Sequence, residues 1–334
     1  MLQIPEDTPT SRETERTAVL TVIGESLVDI INDSRIPGSG TRVHPGGSPL
    51  NVAIGCARLG VATALVTDYA EDRYGRIIDQ HLSANNVTVI NGASAATSQA
   101  TAALDAEGAA KYTFEITWNP RGASLEALSV AEGCRHVHTG SIATVLPPGN
   151  EAVYTLVNAA RGHASISYDP NCRPAISADV TDARRQAEKF AAVSDIVKAS
   201  DEDLKWLYPG KTLEQTMEAW LKLGPSIMAI TRGAKGPILA TRKHVVEIPA
   251  ERIDVEDTVG AGDSFMAGLI AGLHRMDLLG VQARERLADL PPETLRSLAA
   301  YANKAAAITC SRPGADPPWA RELGDSTLMQ EGMQ

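Results

Sequence analysis

The sequence predicts an α/β fold, one mostly parallel sheet with helices on its faces. Three observations carry that expectation. Short apolar runs alternate with longer amphipathic ones along the chain. Glycines stand where apolar runs end or helices open, at Gly24, at Gly46-Gly47 and from Gly260 to Gly262. And 334 residues suffice for one large domain of this kind.

Taken in order, residues 1–17 are polar, with Pro5, Pro9 and several charges, and read as a flexible leader without a secretory apolar region. Ala18-Val19-Leu20-Thr21-Val22-Ile23 ends at Gly24 and predicts a central strand. After Ser48-Pro49, the residues Val52, Ile54, Ala57 and Leu59 fall at helical spacing over 49–59. Further strands are expected at 64–67, 165–168, 195–198 and 227–230. Helices are expected at 73–84, 151–161, 182–192, 212–223, 263–274 and 294–310. Two stretches break the rhythm: the polar segment 30–44, and 98–118, which alternates as two short strands about Ala106-Glu107-Gly108-Ala109. Both read as a small β-lid, or as two ordinary surface excursions. The main domain is expected to run over 18–323 and residues 324–334 to form a tail.

Composition narrows the function. A net charge of −10 leaves no basic surplus to neutralise the phosphates of a nucleic acid. A small phosphate compound can still bind through backbone N–H groups, which require no positive surplus. The four cysteines, Cys56, Cys134, Cys172 and Cys310, show no zinc-ligand spacing and read as reduced thiols of a cytoplasmic protein. No apolar run approaches the about 20 residues needed to span a bilayer, so no membrane partner is expected.

The strongest local signal is Asp257-Thr258-Val259-Gly260-Ala261-Gly262-Asp263-Ser264-Phe265, which runs into an apolar helix. Gly260 and Gly262 permit unusual backbone angles and close approach of a ligand. Free N–H groups at a helix N-terminus bind anions, as phosphoryl transfer requires. Asp263 beside them could accept a proton from an attacking hydroxyl, or simply cap the helix. Gly46-Gly47-Ser48-Pro49-Leu50-Asn51 is a second glycine turn opening a helix. Its backbone can approach a polyol, with Asn51 both donating and accepting, or it is a plain strand-to-helix turn. Gly24-Glu25-Ser26-Leu27-Val28-Asp29 places Asp29 just past a strand end, where open α/β sheets gather ligands. There a surface turn is the other reading.

These blocks, together with SYDPNCRP (167–174), KASDEDL (198–204) and ITRGAKG (230–236), resemble the ribokinase-type, or PfkB, carbohydrate kinases, and fructokinases in particular, over about residues 18–320. The resemblance implies a three-layer sandwich with a β-lid over a sugar. It implies ATP and Mg²⁺ as cofactors, with K⁺ as a candidate activator. By position, Asp29, Gly46, Gly47, Asn51 and Arg173 resemble sugar ligands. Gly260, Ala261 and Gly262 resemble the anion hole and Asp263 the base. Lys198, Thr231, Gly233, Gly236 and Asn303 resemble the nucleotide side. Asp257, with the Gly314 region, resembles a monovalent-cation loop.

One departure stands out. Many members of that family carry an N-x-x-E motif that organises magnesium and its waters, whereas Ser200-Asp201-Glu202-Asp203 stands here. Asp203 is shorter by one methylene and would act through water.

Other motifs lead away from chemistry. Gly210-Lys211-Thr212 imitates the end of a P-loop, but position 205 is Lys where glycine is required. His136 and His138 alternate on an expected strand without metal-ligand spacing, and the four tryptophans read as packing residues, with Trp118 placed to touch substrate.

The expected activity is ATP-dependent phosphorylation of fructose to fructose 6-phosphate. Alternatives are 2-keto-3-deoxygluconate or ribose as acceptor, a nucleoside kinase, or a non-catalytic sugar sensor. A homodimer through the lid is the expected assembly.

Overall fold

A computed structural model describes residues 19–33, 41–104, 110–120 and 133–324. The expected leader, the tip of the 98–118 hairpin, part of the 30–44 stretch and most of the expected tail lie outside the described residues.

Nine strands of the described chain form one sheet. In chain order they are β1 (Leu20–Ile23), β4 (Thr63–Thr67), β5 (Thr88–Asn91), β8 (His136–Gly140), β9 (Ser165–Asp169), β10 (Ile196–Ser200), β11 (Ile227–Thr231), β12 (Ile238–Ala240) and β13 (Val245–Glu247). Their spatial order is β13-β12-β11-β10-β9-β8-β1-β4-β5, parallel from β5 to β11, with β12 and β13 antiparallel at one edge. The central strands are buried on both faces, which is why β1, broken only by Thr21, reads as a near-continuous apolar run rather than an alternating one.

Helices cover both faces. On one lie α1 (Ser48–Arg58), α2 (Arg73–Ala84), α7 (Ala261–Arg275) and α8 (Pro292–Cys310), joined in a single core cluster with Leu20, Val22 and Ile227. On the other lie α3 (Gly149–Ala160), α4 (Val180–Ala191), α5 (Asp201–Leu207) and α6 (Leu213–Leu223), packed on Ile23, Val137 and Val197. The helix starts follow local chemistry. Asp72, Asp179, Ser200 and Thr212 each cap a first turn with a side-chain oxygen. Thr212 closes a capping box with Gln215, so the Gly210-Lys211-Thr212 run is a helix start.

A second sheet of four strands, order β3-β2-β6-β7, stands over the C-terminal ends of the main strands. It comprises β2 (Leu27–Asp33), β3 (Arg42–Gly46), β6 (Ser98–Leu104) and β7 (Ala110–Glu115). Its first strand begins at Leu27, earlier than the sequence reading placed it, so Asp29 belongs to the lid itself and not to a turn below it. The cause is that β2 is covered on both faces. Val28 and Ile30 enter the α1/α2 core, while Leu27 meets Ala100 and Ile142 beneath the lid. Trp118 at the foot of the lid is buried and donates its indole N–H to Ala143 O, which makes it a packing residue and removes it from the substrate side.

Candidate active site

Two neighbouring cavities open at the C-terminal strand ends. The first, about 890 Å³, is lined by Glu25, Asp29, Gly47, Asn51, Arg173, Lys198 and Asp263 among others. The second, about 660 Å³, is lined by Thr231, Gly233, Ala250, Phe265 and Asn303 among others. Thr231, Thr258 and Gly262 line both, so the start of α7 stands at their junction.

That start is built by glycine. Gly260 is the N-cap at φ 75°, a left-handed conformation that a side chain resists, and a Cβ there would meet Ala315 Cβ at 2.6 Å. Ser264 N–H donates to Gly260 O at 2.8 Å and closes the first turn. The amides before it have no partner within the helix; Ala261 N–H reaches back to Thr258 O, in the turn before it, at 3.3 Å. Gly262 is not strained: it lies in the helix, outside the positive-φ set. Its lack of a side chain makes room instead for Lys198, since a Cβ there would stand 2.8 Å from Lys198 Nζ.

Asp263 is the third residue of α7 and not its cap. It is buried, and both its oxygens are held from α1: Ser48 Oγ donates at 2.6 Å and Asn51 Nδ2 at 2.8 Å. The glycine turn at 46–47 thus brings α1 against α7. Gly47, at φ 112°, caps α1 and leaves no space for a Cβ beside Glu25 O. Gly46 sits against Asp29, whose Oδ2 would be 2.4 Å from a Cβ at that position. Burial raises the Asp29 carboxyl, against the pull of His44 and Arg173.

Of the sugar-side and anion-side residues expected from sequence, Asp29, Gly47, Asn51, Gly260, Gly262 and Asp263 meet around one cavity, whereas Gly46 does not line it and Ala261 lines the second. Arg173 lines the first cavity too, but its Nη1 is turned onto its own loop, donating to Asn171 Oδ1 at 2.7 Å. Lys198 lines this cavity and not the neighbouring one, apart from Gly233 and Asn303, with which the resemblance grouped it. Asp203 accepts from Cys172 N at 2.8 Å, Ser200 N at 2.8 Å and Ser200 Oγ at 2.7 Å, so its carboxylate holds α5 and the loop leading to Arg173. Asp257 accepts from Val259 N at 3.0 Å and Gly314 N at 2.8 Å, tying the turn before α7 to the C-terminal loop. Gly236 does not reach either cavity; a Cβ there would strike Ile248 O at 2.1 Å. Asn303 does line the second cavity, with Nδ2 donating to Pro249 O at 3.1 Å.

Sequence reasoning missed three residues. Glu25 is buried in the floor of the first cavity and accepts from Ala143 N at 3.1 Å. Burial pushes its carboxyl up to about 7, against hydrogen bonds from Ser141 and Ala143. Ser48 holds Asp263. Asp169 pairs with Lys198 at 2.7 Å, both buried. Glu25 and Asp169 lay inside quoted motifs without a local signal of their own. His136 and His138 are core residues bound to Ser165 and Ser167, and burial lowers both to about 3, so they are neutral. Among the described residues no group of three or more His, Cys, Asp or Glu is arranged to hold a metal, and no helix is long and apolar enough to cross a membrane.

Residues 18–321 match the description pfkB family carbohydrate kinase. The chain belongs to that family. This pfkB kinase is 34% identical over 278 residues to a fructokinase of Rhizobium leguminosarum bv. trifolii, covering 82% of this chain and 84% of that one. Its structure resembles an uncharacterized sugar kinase from Pyrococcus horikoshii at a TM-score of 0.72 and 27% identity, covering 91% and 96% of the two chains. It also resembles a fructokinase with bound ATP from Xylella fastidiosa at a TM-score of 0.80 and 22% identity, covering 92% and 97%. The ribokinase-like sandwich of the pfkB kinases is the fold described above.

Proposed function

We propose that this carbohydrate kinase transfers the γ-phosphoryl group of ATP to fructose, giving fructose 6-phosphate. One observation carries the reading. The Asp263 carboxylate is oriented by two donors at the junction of two cavities, beside the first amides of a helix start, which have no partner within the helix. The nucleotide takes the 660 Å³ cavity, with Asn303 and the Thr231–Gly233 turn along it. The sugar takes the 890 Å³ cavity, held by Asp29 and Asn51 with the backbone of Gly47 close by. Asp263 accepts the hydroxyl proton as the oxygen attacks phosphorus. The amides of Ala261 and Gly262, with the dipole of α7, meet the charge that develops on the phosphoryl oxygens.

Magnesium fits this site only as a passenger of the nucleotide. Asp203 already accepts three hydrogen bonds, so it and the exposed Glu202 would reach the ion through its waters. Bound there, the ion would neutralise phosphate charge. Asp257, fixed between Val259 and Gly314, is the residue around which K⁺ would shape the turn before α7.

The Rhizobium relative's name supports fructose as acceptor. The carboxyl groups that line the cavity, Glu25, Asp29, Glu202, Asp203 and Asp263, outnumber its cations, Arg173 and Lys198, and favour a neutral polyol over a sugar acid such as 2-keto-3-deoxygluconate. Release of ADP over a panel of sugars, sugar acids and nucleosides tests this. Fructose should give the highest kcat/KM, and a much higher value for ribose, a sugar acid or a nucleoside would overturn the substrate while leaving the kinase.

A further inference from the structure

We propose that His44, on the edge strand of the lid, is a positioning residue for the sugar: its imidazole faces Asp29 and keeps that carboxylate ready to accept from sugar hydroxyls. The inference rests on the kinase reading above and concerns its acceptor side alone. Asp29 of β2 stands opposite His44 of β3 on one side and Ala100 of β6 on the other, and Ala100 stands opposite Phe114 of β7. Residues in register across a sheet share a face, so His44, Asp29, Ala100 and Phe114 form one row. Asp29, Ala100 and Phe114 line the sugar-side cavity, which puts the exposed His44 at the open end of that row and on the same face.

The carboxylate leans toward β3 as well. A Cβ on Gly46 would stand 2.4 Å from Asp29 Oδ2. Gly46 lies two residues beyond His44 on β3 and therefore shares its face. The missing side chain at 46 leaves the space into which Asp29 turns. Directly opposite residues have Cβ atoms about 4.5–5.5 Å apart, which an imidazole spans easily.

Asp29 has use for such a neighbour. Among the described residues its oxygens accept no hydrogen bond, so both are open to hydroxyls, but no donor holds the charge in place. Burial raises the carboxyl, and the charges that pull the other way are His44 and Arg173. Arg173 Nη1 is engaged by its own loop, donating to Asn171 O, Asn171 Oδ1 and Cys172 O. Lys198, elsewhere on the cavity wall, is paired with Asp169. Arg42 shares the face of His44 but stands opposite Ile31. The lid strands β6 and β7 bring only Ala100 and Phe114 to this row, and Glu25 and Asp263 on the cavity wall are carboxyl groups themselves.

A histidine takes up charge on the acid side of neutrality, where a buried carboxyl begins to lose its own. The pairing thus extends sugar binding toward lower pH. The sign follows from the charge. A protonated Asp29 accepts fewer hydroxyl hydrogens, so KM for the sugar rises as pH falls through the Asp29 pKa. Without His44 that pKa lies higher, and the rise begins at higher pH.

The test compares His44→Ala, His44→Gln and His44→Arg in the full chain. KM and kcat are read by ADP release from pH 5 to pH 8, for fructose or whichever acceptor gives the highest kcat/KM, and the Kd of that sugar by calorimetry without ATP. The position is exposed, so all three variants should melt near the unaltered protein. His44→Ala and His44→Gln should raise KM and Kd about 2- to 5-fold on the acid side, the reach of an exposed charge pair. Their curves should rejoin that of the unaltered protein toward pH 8, with kcat little changed throughout. His44→Arg, charged at every pH, should keep KM low in acid. Salt at about 0.5 M should narrow all these differences. In an Asp29→Asn background, His44→Ala should change KM no further. Glu25 titrates in each variant alike, so the differences between curves are what is read. Parallel curves for His44→Ala and the unaltered protein, or an equal effect of His44→Ala in the Asp29→Asn background, would reduce His44 to a residue that blunts the lid edge. Absence of ADP release with every acceptor would instead sink the kinase reading and this inference with it.

Discussion

Two carboxyl groups in one cavity have opposite tasks, and their surroundings tell them apart. Asp263 is held by Ser48 and Asn51, both able to re-pair with an amide, so Asp263→Asn should fold normally. Because the residue is third in α7 and not its cap, helix capping is untouched by the change. Sugar affinity should fall modestly while kcat drops by at least about 10²-fold, the usual reach of a general base. A variant that binds sugar and turns over at full speed would falsify the assignment. Glu25 has no such orientation toward the helix start; it is buried against the turn carrying Ser141 and Ala143. Its folded-state pKa near 7 lies above its ordinary 4.5, so the native protein holds this proton more tightly than the unfolded chain. Stability from this group is therefore greatest at low pH and is lost as pH climbs from about 4.5 to 7, by about 3 kcal/mol at full ionisation. Glu25→Gln removes that loss. Melting temperatures at pH 5 and pH 8 should fall less for the variant, and at pH 8 the variant should melt above the unaltered protein. Equal pH slopes for the two would show that the carboxyl is not perturbed.

At the level of elements, most helices and parallel strands were legible because apolar period and capping residues are local properties. α7, for example, is expected over 263–274 and found over Ala261–Arg275, with the glycine turn in front of it. The hairpin β12–β13 was not foreseen, since three-residue strands are too short to show a period. The lid strand β2 was placed late for a different reason. Val28 and Ile30 enter the core while Leu27 and Asp29 face the cavity, so the strand looks like the tail of an apolar run and its polar continuation looks like a loop. The candidate site divides in the same way. Asp263 and the glycines announce themselves by sequence pattern, yet the reason for Gly262 is a lysine on β10, 64 positions earlier, which no local reading shows. Ser48, Glu25 and Asp169 act through contacts between elements, and their residue types carry no message until the sheet order is known.

The molecule as a whole presents a three-layer body with a lid whose outer strands, β3 and β7, each have a single neighbour among the described residues. An unpaired edge is a template for another strand unless it is blunted. The β3 edge is blunted: Pro45 lacks an N–H, and Arg42 and His44 are exposed along it. The β7 edge, Ala110–Glu115, carries no proline, and between Lys111 and Glu115 runs a stretch of good strand propensity, Tyr112, Thr113 and Phe114. We therefore expect two copies to associate through β7, which would also restrain the lid above the sugar cavity that Phe114 helps to line. Light scattering at micromolar concentration should give a mass near twice the 35.4 kDa of one chain. A charge placed on the exposed edge, Thr113→Lys, should shift the protein toward the single-chain mass while its melting temperature stays within a few degrees, because the change touches no core position. A single-chain mass for the unaltered protein at every concentration would remove the lid from any role in assembly, and its two edges would then have to be protected by the lid's own twist and charge.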